Sequence, residues 1–263
     1  MVILRALWAY RGFILGSVKR EFQSRYQNSL LGAAWTVLNP LAMIVVYTVI
    51  FAQLMRARLP GATGTFAYSI YLCAGVLTWG LFAEIVNRGQ TVFLEHANLL
   101  KKLSFPRMSL PVTVVAQALL NFAIVFSLFT IFLLASGTFP GLAFVALLPV
   151  IAIIVLFAIG LGITLGVLNV FFRDVGQFFS IFMQFWFWLT PIVYPASIVP
   201  APVARFIDFN PLARLIGACQ DILVNGRWPA WDRLLMPLVV AALFCWLGLR
   251  LFRRRSGELV DEL

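Results

Sequence analysis

The stretch LAFVALLPVIAIIVLFAIGLGITLGVLNVFF, residues 142–172, runs for 31 residues without a charged side chain. A bilayer core about 30 Å thick is crossed by about 20 apolar residues in a helix, the form in which the backbone satisfies its own hydrogen bonds. The stretch therefore reads as a membrane span, and the rest of the chain agrees with it. Of 263 residues, 62% are hydrophobic and 11% charged, with a mean hydropathy of +0.96. A water-soluble domain carries roughly 25% charged residues. The deficit excludes a soluble enzyme, a nucleic-acid-binding domain and a disordered tail, and predicts an all-α integral membrane protein.

Outward from this run, further apolar runs cover about 33–55, 66–86 and 108–136 on one side and about 178–199 and 234–252 on the other. With 142–172 they predict six transmembrane helices in a single transmembrane domain spanning 1–263. The short break Gly137–Gly141 between the third and fourth implies a tight turn. An even number of spans puts both termini on one side. That side receives 14 of the 20 Lys and Arg residues and the other side 6, so the positive-inside rule predicts cytoplasmic termini. Topology accounts for the net charge of +10 without calling on nucleic acid.

Ahead of the first span, Leu4, Leu7, Trp8, Ile14, Leu15, Val18 and Phe22 recur at helical spacing with Arg5, Lys19 and Arg20 between them. This pattern predicts an amphipathic interface helix within residues 1–32. Basic residues spread over the first thirty positions do not match a cleavable signal peptide. Cys73, Cys219 and Cys245 are odd in number and far apart, which suits small apolar fillers better than a disulfide framework.

The fifth run is interrupted at its outer end by Pro191, Pro195, Pro200 and Pro202. Asn210 then offers an N-cap to a helix beginning at Pro211, whose apolar stripe ends at Asn225–Gly226. A broken span at membrane depth requires neighbouring groups to satisfy the freed backbone. Residues 191–224 are accordingly expected to form a re-entrant external gate before the last span, with Pro191, Pro195, Asn210 and Pro211 as its defining positions.

Several chemistries lack their residues. No G-x-x-x-x-G-K-[ST] is present, so the chain has no P-loop with which to hydrolyse ATP, and one histidine, His96, excludes an H-E-x-x-H zinc site. No metal site is expected. Glu84 is the one acid within a span, which disfavours an ion-coupled carrier. An integral membrane transferase would need an acid or histidine constellation, and Glu84, His96 and Asp174 are dispersed along the chain. Aromatic residues crowd two runs: Trp35, Tyr47 and Phe51 on the first, and Phe178, Phe182, Phe185, Trp186 and Trp188 on the fifth. They read either as lipid-facing bulk or as a conduit offering apolar faces to sugar rings. Gly160, Gly162 and Gly166 predict close helix packing within the chain.

Four ordered motifs carry a resemblance: Arg25-Tyr-Gln-Asn-Ser-Leu-Leu-Gly-Ala-Ala-Trp-Thr-Val-Leu-Asn-Pro-Leu41, Leu100-Lys-Lys-Leu-Ser-Phe-Pro-Arg107, Phe172-Arg-Asp-Val175 and Phe209-Asn-Pro-Leu212. Over nearly its whole length the chain resembles permeases of the ABC transporters that export polysaccharide, with a closer fit to O-antigen exporters of the Wzm type than to capsule or teichoic-acid permeases. The resemblance implies a homodimer of six-span subunits bound to two copies of a separate ATPase, in the bacterial inner membrane, with a lipid-linked polysaccharide as substrate and membrane lipids around it. No cofactor is implied in this chain, since ATP and Mg belong to the partner. It also implies that 88–107, with Arg88, Glu95, Lys101, Lys102 and Arg107, is the coupling region seated in the ATPase. These basic residues would serve equally as anchors for anionic lipid. Arg173 and Asp174 match the family's pair at the cytoplasmic mouth, the alternative being a local ion pair. A permease of the same architecture exporting a drug or another lipid would carry nearly the same signals.

Overall fold

The computed structural model describes residues 11–26, 34–47, 49–50, 64, 66–102, 107–255, 257–258 and 262. Among them the chain is helical, with no strand. In chain order the helices are α1 (Arg11–Tyr26), α2 (Trp35–Tyr47), α3 (Ala67–Glu95), α4 (Ala97–Lys102), α5 (Ser109–Ala135), α6 (Leu147–Phe171), α7 (Asp174–Trp188), α8 (Ala201–Asp208), α9 (Pro211–Asn225) and α10 (Trp231–Arg255). A 3-10 turn, Gly141–Ala146, leads into α6.

Four helices among the described residues are long and apolar enough to cross a membrane: Ala67–Glu95, Ser109–Ala135, Gly141–Phe171 and Trp231–Arg255. They correspond to four of the six expected spans. Of the expected first span, α2 is described, while residues 51–55, with Phe51, lie outside the described residues. The expected fifth span, 178–199, is not one helix. It begins at Asp174, ends at Trp188 and has 15 residues, or about 22 Å at 1.5 Å per residue, short of the hydrocarbon thickness. Pro191 explains the stop, having no N–H to continue the ladder and pushing the residue before it away from helical geometry.

The helix that carries the second expected span is longer than the apolar run. It does not end at 86 but runs on through Asn87, Arg88, Gly89 and Gln90 to Glu95. Polar residues end an apolar run without ending a helix, and none of these four lacks a backbone donor. Arg88 therefore lies on the spanning helix itself, and within 88–107 the separate helix is α4, six residues long.

The core is built around α3, the most buried of the spans. Its residues Trp79 and Phe82 meet Phe157 of α6 and Trp186 of α7 at ring separations of 5.3–6.4 Å. A second cluster, Val92, Phe93, Leu100, Leu110, Val114, Val167 and Phe252, closes the opposite end of the bundle. The α3–α6 seam is set by small residues. A Cβ on Gly166 would stand 2.5 Å from the Gly89 carbonyl oxygen, and Gly162 faces the Gly89 backbone. The glycines thus serve packing within the chain, as their spacing predicted.

Candidate functional site

The break after α7 is where the sequence placed a gate, and its backbone is satisfied by side chains from two other helices. The Tyr71 hydroxyl of α3 lies 2.9 Å from the carbonyl oxygen of Pro191 and 3.0 Å from that of Tyr194. Tyr68, one turn away, donates to Val193 O at 2.7 Å. From α9, the buried Gln220 amide donates to Pro191 O and Ile192 O of the break, at 3.3 and 3.5 Å, and to Tyr71 O at 3.3 Å. These are the carbonyls that a proline-broken helix leaves without partners, which apolar surroundings make costly. Gly75 lets the parts meet: a Cβ there would stand 2.7 Å from Gln220 Nε2 and 3.2 Å from Ile192 O.

Asn210 forms a second knot beside the first. Its Oδ1 accepts from the Leu212 amide at 3.0 Å, the expected N-cap, and from the Trp186 indole N–H at 3.0 Å. Its Nδ2 donates to Thr190 Oγ1 at 3.0 Å, and that hydroxyl donates to Trp186 O at 2.8 Å. One side chain therefore caps α9, fixes the Trp186 ring and holds the last turn of α7. Pro211 is the first residue of α9, and Gly226, in left-handed geometry at φ +62°, ends it. Pro195 stands in extended backbone between α7 and α8.

The aromatic set divides by face. Phe178, Phe182, Phe185 and Trp188 form an exposed stripe along α7, with Trp188 63% exposed. Trp186 points the other way, into the ring cluster with Trp79, Phe82 and Phe157. Its ring is half-buried there. Trp35 is exposed on α2. The Tyr47 side chain and Phe51 lie outside the described residues.

At the other end of the bundle, Arg173 and Asp174 are both exposed, with Asp174 in the first turn of α7. No ion pair joins them within the described residues, and Asp174 instead sits at the positive end of the helix dipole. Arg88 turns toward α5, donating to Gln117 Oε1 at 2.5 Å and lying 3.7 Å from Glu84 Oε1. Glu84 in turn accepts from Asn121 Nδ2 at 3.0 Å. Arg88 is thus tied between two spans, while Glu95 and Lys101 are exposed. Lys102 ends α4, and Arg107 is half-buried in the turn before α5. Arg20 of α1, Arg88, Glu95 and His96 share a cleft of about 370 Å³ between α1, α3 and α5.

Sequence reasoning missed Tyr71, Gln220 and Thr190 at the break, and also Asn169, whose amide bridges Gln90 O (2.9 Å) and Gly176 N (3.0 Å) to join α3, α6 and α7. Their signal was available: a polar side chain inside an apolar run has to find a partner within the protein.

The family description "ABC-2 type transporter" matches residues 14–224. An O-antigen export system permease protein RfbA from Myxococcus xanthus is 31% identical over 264 residues, covering 99% of each chain. A protein of the same name from Klebsiella pneumoniae is 34% identical over 208 residues, 79% of this chain and 78% of its own. The polysialic acid transport protein KpsM of Escherichia coli is 21% identical over 248 residues, 92% of this chain and 93% of its own. With a family match over most of its length and a relative aligned end to end, this multi-pass membrane chain belongs to the ABC-2 type transporter family.

Proposed function

We propose that the chain is the membrane-spanning subunit of an ATP-driven exporter that moves a lipid-linked polysaccharide of the O-antigen kind across the bacterial inner membrane. The observation that carries this reading is the end-to-end relation to an O-antigen export permease at 31% identity. The fainter relation to the polysialic acid transport protein, at 21%, ranks a capsule-like polymer second. The chain is a transport subunit, as its family and relatives indicate, and its sequence holds no P-loop. ATP and Mg are bound by a partner ATPase, two copies of which join a homodimer of this subunit.

In this reading both termini are cytoplasmic, and α4 with Glu95 and Lys101 seats in the ATPase. The exposed stripe of α7, Phe178, Phe182, Phe185 and Trp188, lines the conduit together with Trp35. Aromatic faces give a sliding polymer weak, repeated contacts, where tight binding at any one point would stall it. The break at 189–200 with α8 and α9 serves as the external gate. ATP-driven closure of the ATPase pair biases the bundle between closed and open states by displacing α4.

Co-expression with a candidate ATPase, purification in nanodiscs and measurement of stoichiometry and of ATPase stimulation by lipid-linked glycan test the reading directly. A two-plus-two complex stimulated by glycan is expected. A chain that retains no ATPase, or a complex indifferent to glycan, would overturn it.

A further inference from the structure

Beyond the break, α9, the start of α10 and the 191–196 segment enclose a cleft of about 720 Å³, within the ~300–1,000 Å³ usual for small-ligand sites. Its walls are braced. Arg214 of α9 donates through Nε to Asp208 O at 2.7 Å and through Nη1 to Arg233 O at 3.4 Å, tying the end of α8 to the start of α10. With Arg214 so occupied, the remaining polar groups converge with capacity to spare. Asn225 Nδ2 donates to Asp221 Oδ1 at 3.2 Å. Among the described residues the Arg227 and Arg233 side chains make no hydrogen bond or ion pair, though both are near enough to favour the Asp221 carboxylate electrostatically. Trp228, 58% exposed, stands on the connector between them. That connector is fixed on one side by the left-handed turn at Gly226 and on the other by buried Pro229.

This set of groups selects its ligand chemistry. A metal cation is disfavoured by guanidiniums on the same wall, and a simple anion by the Asp221 carboxylate. A hydroxyl is both donor and acceptor, and a ring bearing several needs a carboxylate, an amide and guanidiniums within one cleft. The ring's C–H face needs a flat apolar surface, which an indole supplies.

We propose that this cleft is a saccharide-binding site, in which Asp221, Asn225, Arg227 and Arg233 hydrogen-bond the hydroxyls of one sugar unit while Trp228 stacks on its ring. The proposal rests on the polysaccharide reading above and deepens it: the exported polymer makes a weak, reversible contact at the end of the bundle away from α4, on the gate helix α9 and apart from the α7 stripe. A zwitterionic phospholipid headgroup would match the charges but would leave the Trp228 face unused.

The test uses the full-length chain in nanodiscs with its ATPase, and as probe the lipid-free oligosaccharide released by mild acid from the surface polysaccharide of the source cell. Saturation-transfer NMR and titration calorimetry read binding to the unmodified chain, to Trp228→Ala and to Asp221→Asn. Loss of the stacking face or of a charged acceptor is expected to weaken binding about tenfold or more, with ATPase retention unchanged in both variants and thermal stability unchanged in Trp228→Ala. Trp228→Ala lies on an exposed connector, so it keeps the test meaningful should Asp221→Asn disturb the cleft. Equal binding by all three proteins, or none by the unmodified chain, would overturn the proposal. Native mass spectrometry showing a phospholipid held by the unmodified chain and lost in Asp221→Asn would overturn it in favour of a headgroup site. Deletion of the gene separates this failure from that of the wider reading. If deletion abolishes surface polysaccharide while the chain binds no oligosaccharide, only the cleft assignment falls, whereas surface polysaccharide that persists after deletion removes both.

Discussion

Tyr71 and Gln220 converge on one acceptor, the Pro191 carbonyl oxygen, and that sharing makes a specific prediction. A buried carbonyl stripped of its donor costs about 1–3 kcal/mol. In Tyr71→Phe the Pro191 oxygen still receives the Gln220 amide, and in Gln220→Leu it still receives the tyrosine hydroxyl. Each single change is therefore expected to lower the midpoint of thermal unfolding modestly, and the double change by more than the sum of the two, because only then is the acceptor bare. A strictly additive double variant would mean that the break draws its support elsewhere. Asp221 gives a pH prediction. Its desolvated position raises the carboxyl above its ordinary range, against smaller lowering effects from Asn225, Arg227 and Arg233. The folded chain thus keeps the proton on Asp221 to a somewhat higher pH than the unfolded chain does, so its contribution to stability is fully present below the ordinary carboxylate value and is lost as pH rises through the raised one. Asp221→Asn should flatten that part of the stability–pH curve, and an unchanged curve would exclude it as the titrating group. At the break Pro191 and Asn210 were legible in sequence, because a proline stop and an N-cap ahead of Pro211 are local signals, whereas the polar residues 71 and 220 announced a need for partners but not which ones. The donors at 71 and 220 lie 149 positions apart in the chain and meet only in the fold.

At the scale of elements, the sequence disclosed which runs are helical and where proline breaks the fifth, but not which face of α7 is inward. A run of aromatics has no amphipathic contrast, so Trp186 and Trp188 look alike until packing separates them. The structure turns them into opposite predictions. Trp186 joins four rings and the Asn210 knot, so Trp186→Ala should destabilise the chain on the order of 3 kcal/mol. Trp188→Ala and Phe185→Ala should leave the unfolding midpoint in place and slow export. Export at the normal rate in both exposed variants would assign the stripe to lipid or to subunit packing. The end of α3 lies beyond the end of its apolar run for a different reason. Hydropathy finds where the membrane stops, whereas a helix stops only where caps, glycine or proline stop it, and none of these acts between Asn87 and Glu95.

On the scale of the whole molecule, α3 joins the two ends. Its 29 residues make a rod of about 44 Å, with Tyr68 and Tyr71 bonded to the break at one end and Glu95 leading into α4 at the other. Leu100 of α4 is buried in the cluster with Val92, Phe93 and Leu110, while Lys101 faces outward. A push on α4 therefore has a packed route into α3, and α3 has a hydrogen-bonded route to the gate. Such a route carries a signal only if both ends bias the same two-state element, which separated variants can establish. Lys101→Glu reverses an exposed charge without touching the core, so it is expected to weaken ATPase retention and abolish its stimulation by glycan at unchanged thermal stability. Tyr71→Phe is expected to do the reverse, retaining the ATPase while altering the ratio of ATP hydrolysed to polymer exported, because it loosens only the far end of the rod. Measuring hydrolysis and export together in reconstituted vesicles distinguishes the outcomes. If both variants shift the same quantity in the same way, α3 is a passive strut and the ends communicate by another path. If each moves its own quantity, the spanning helix is the element through which ATP closure at one end reaches the carbonyls of the break at the other.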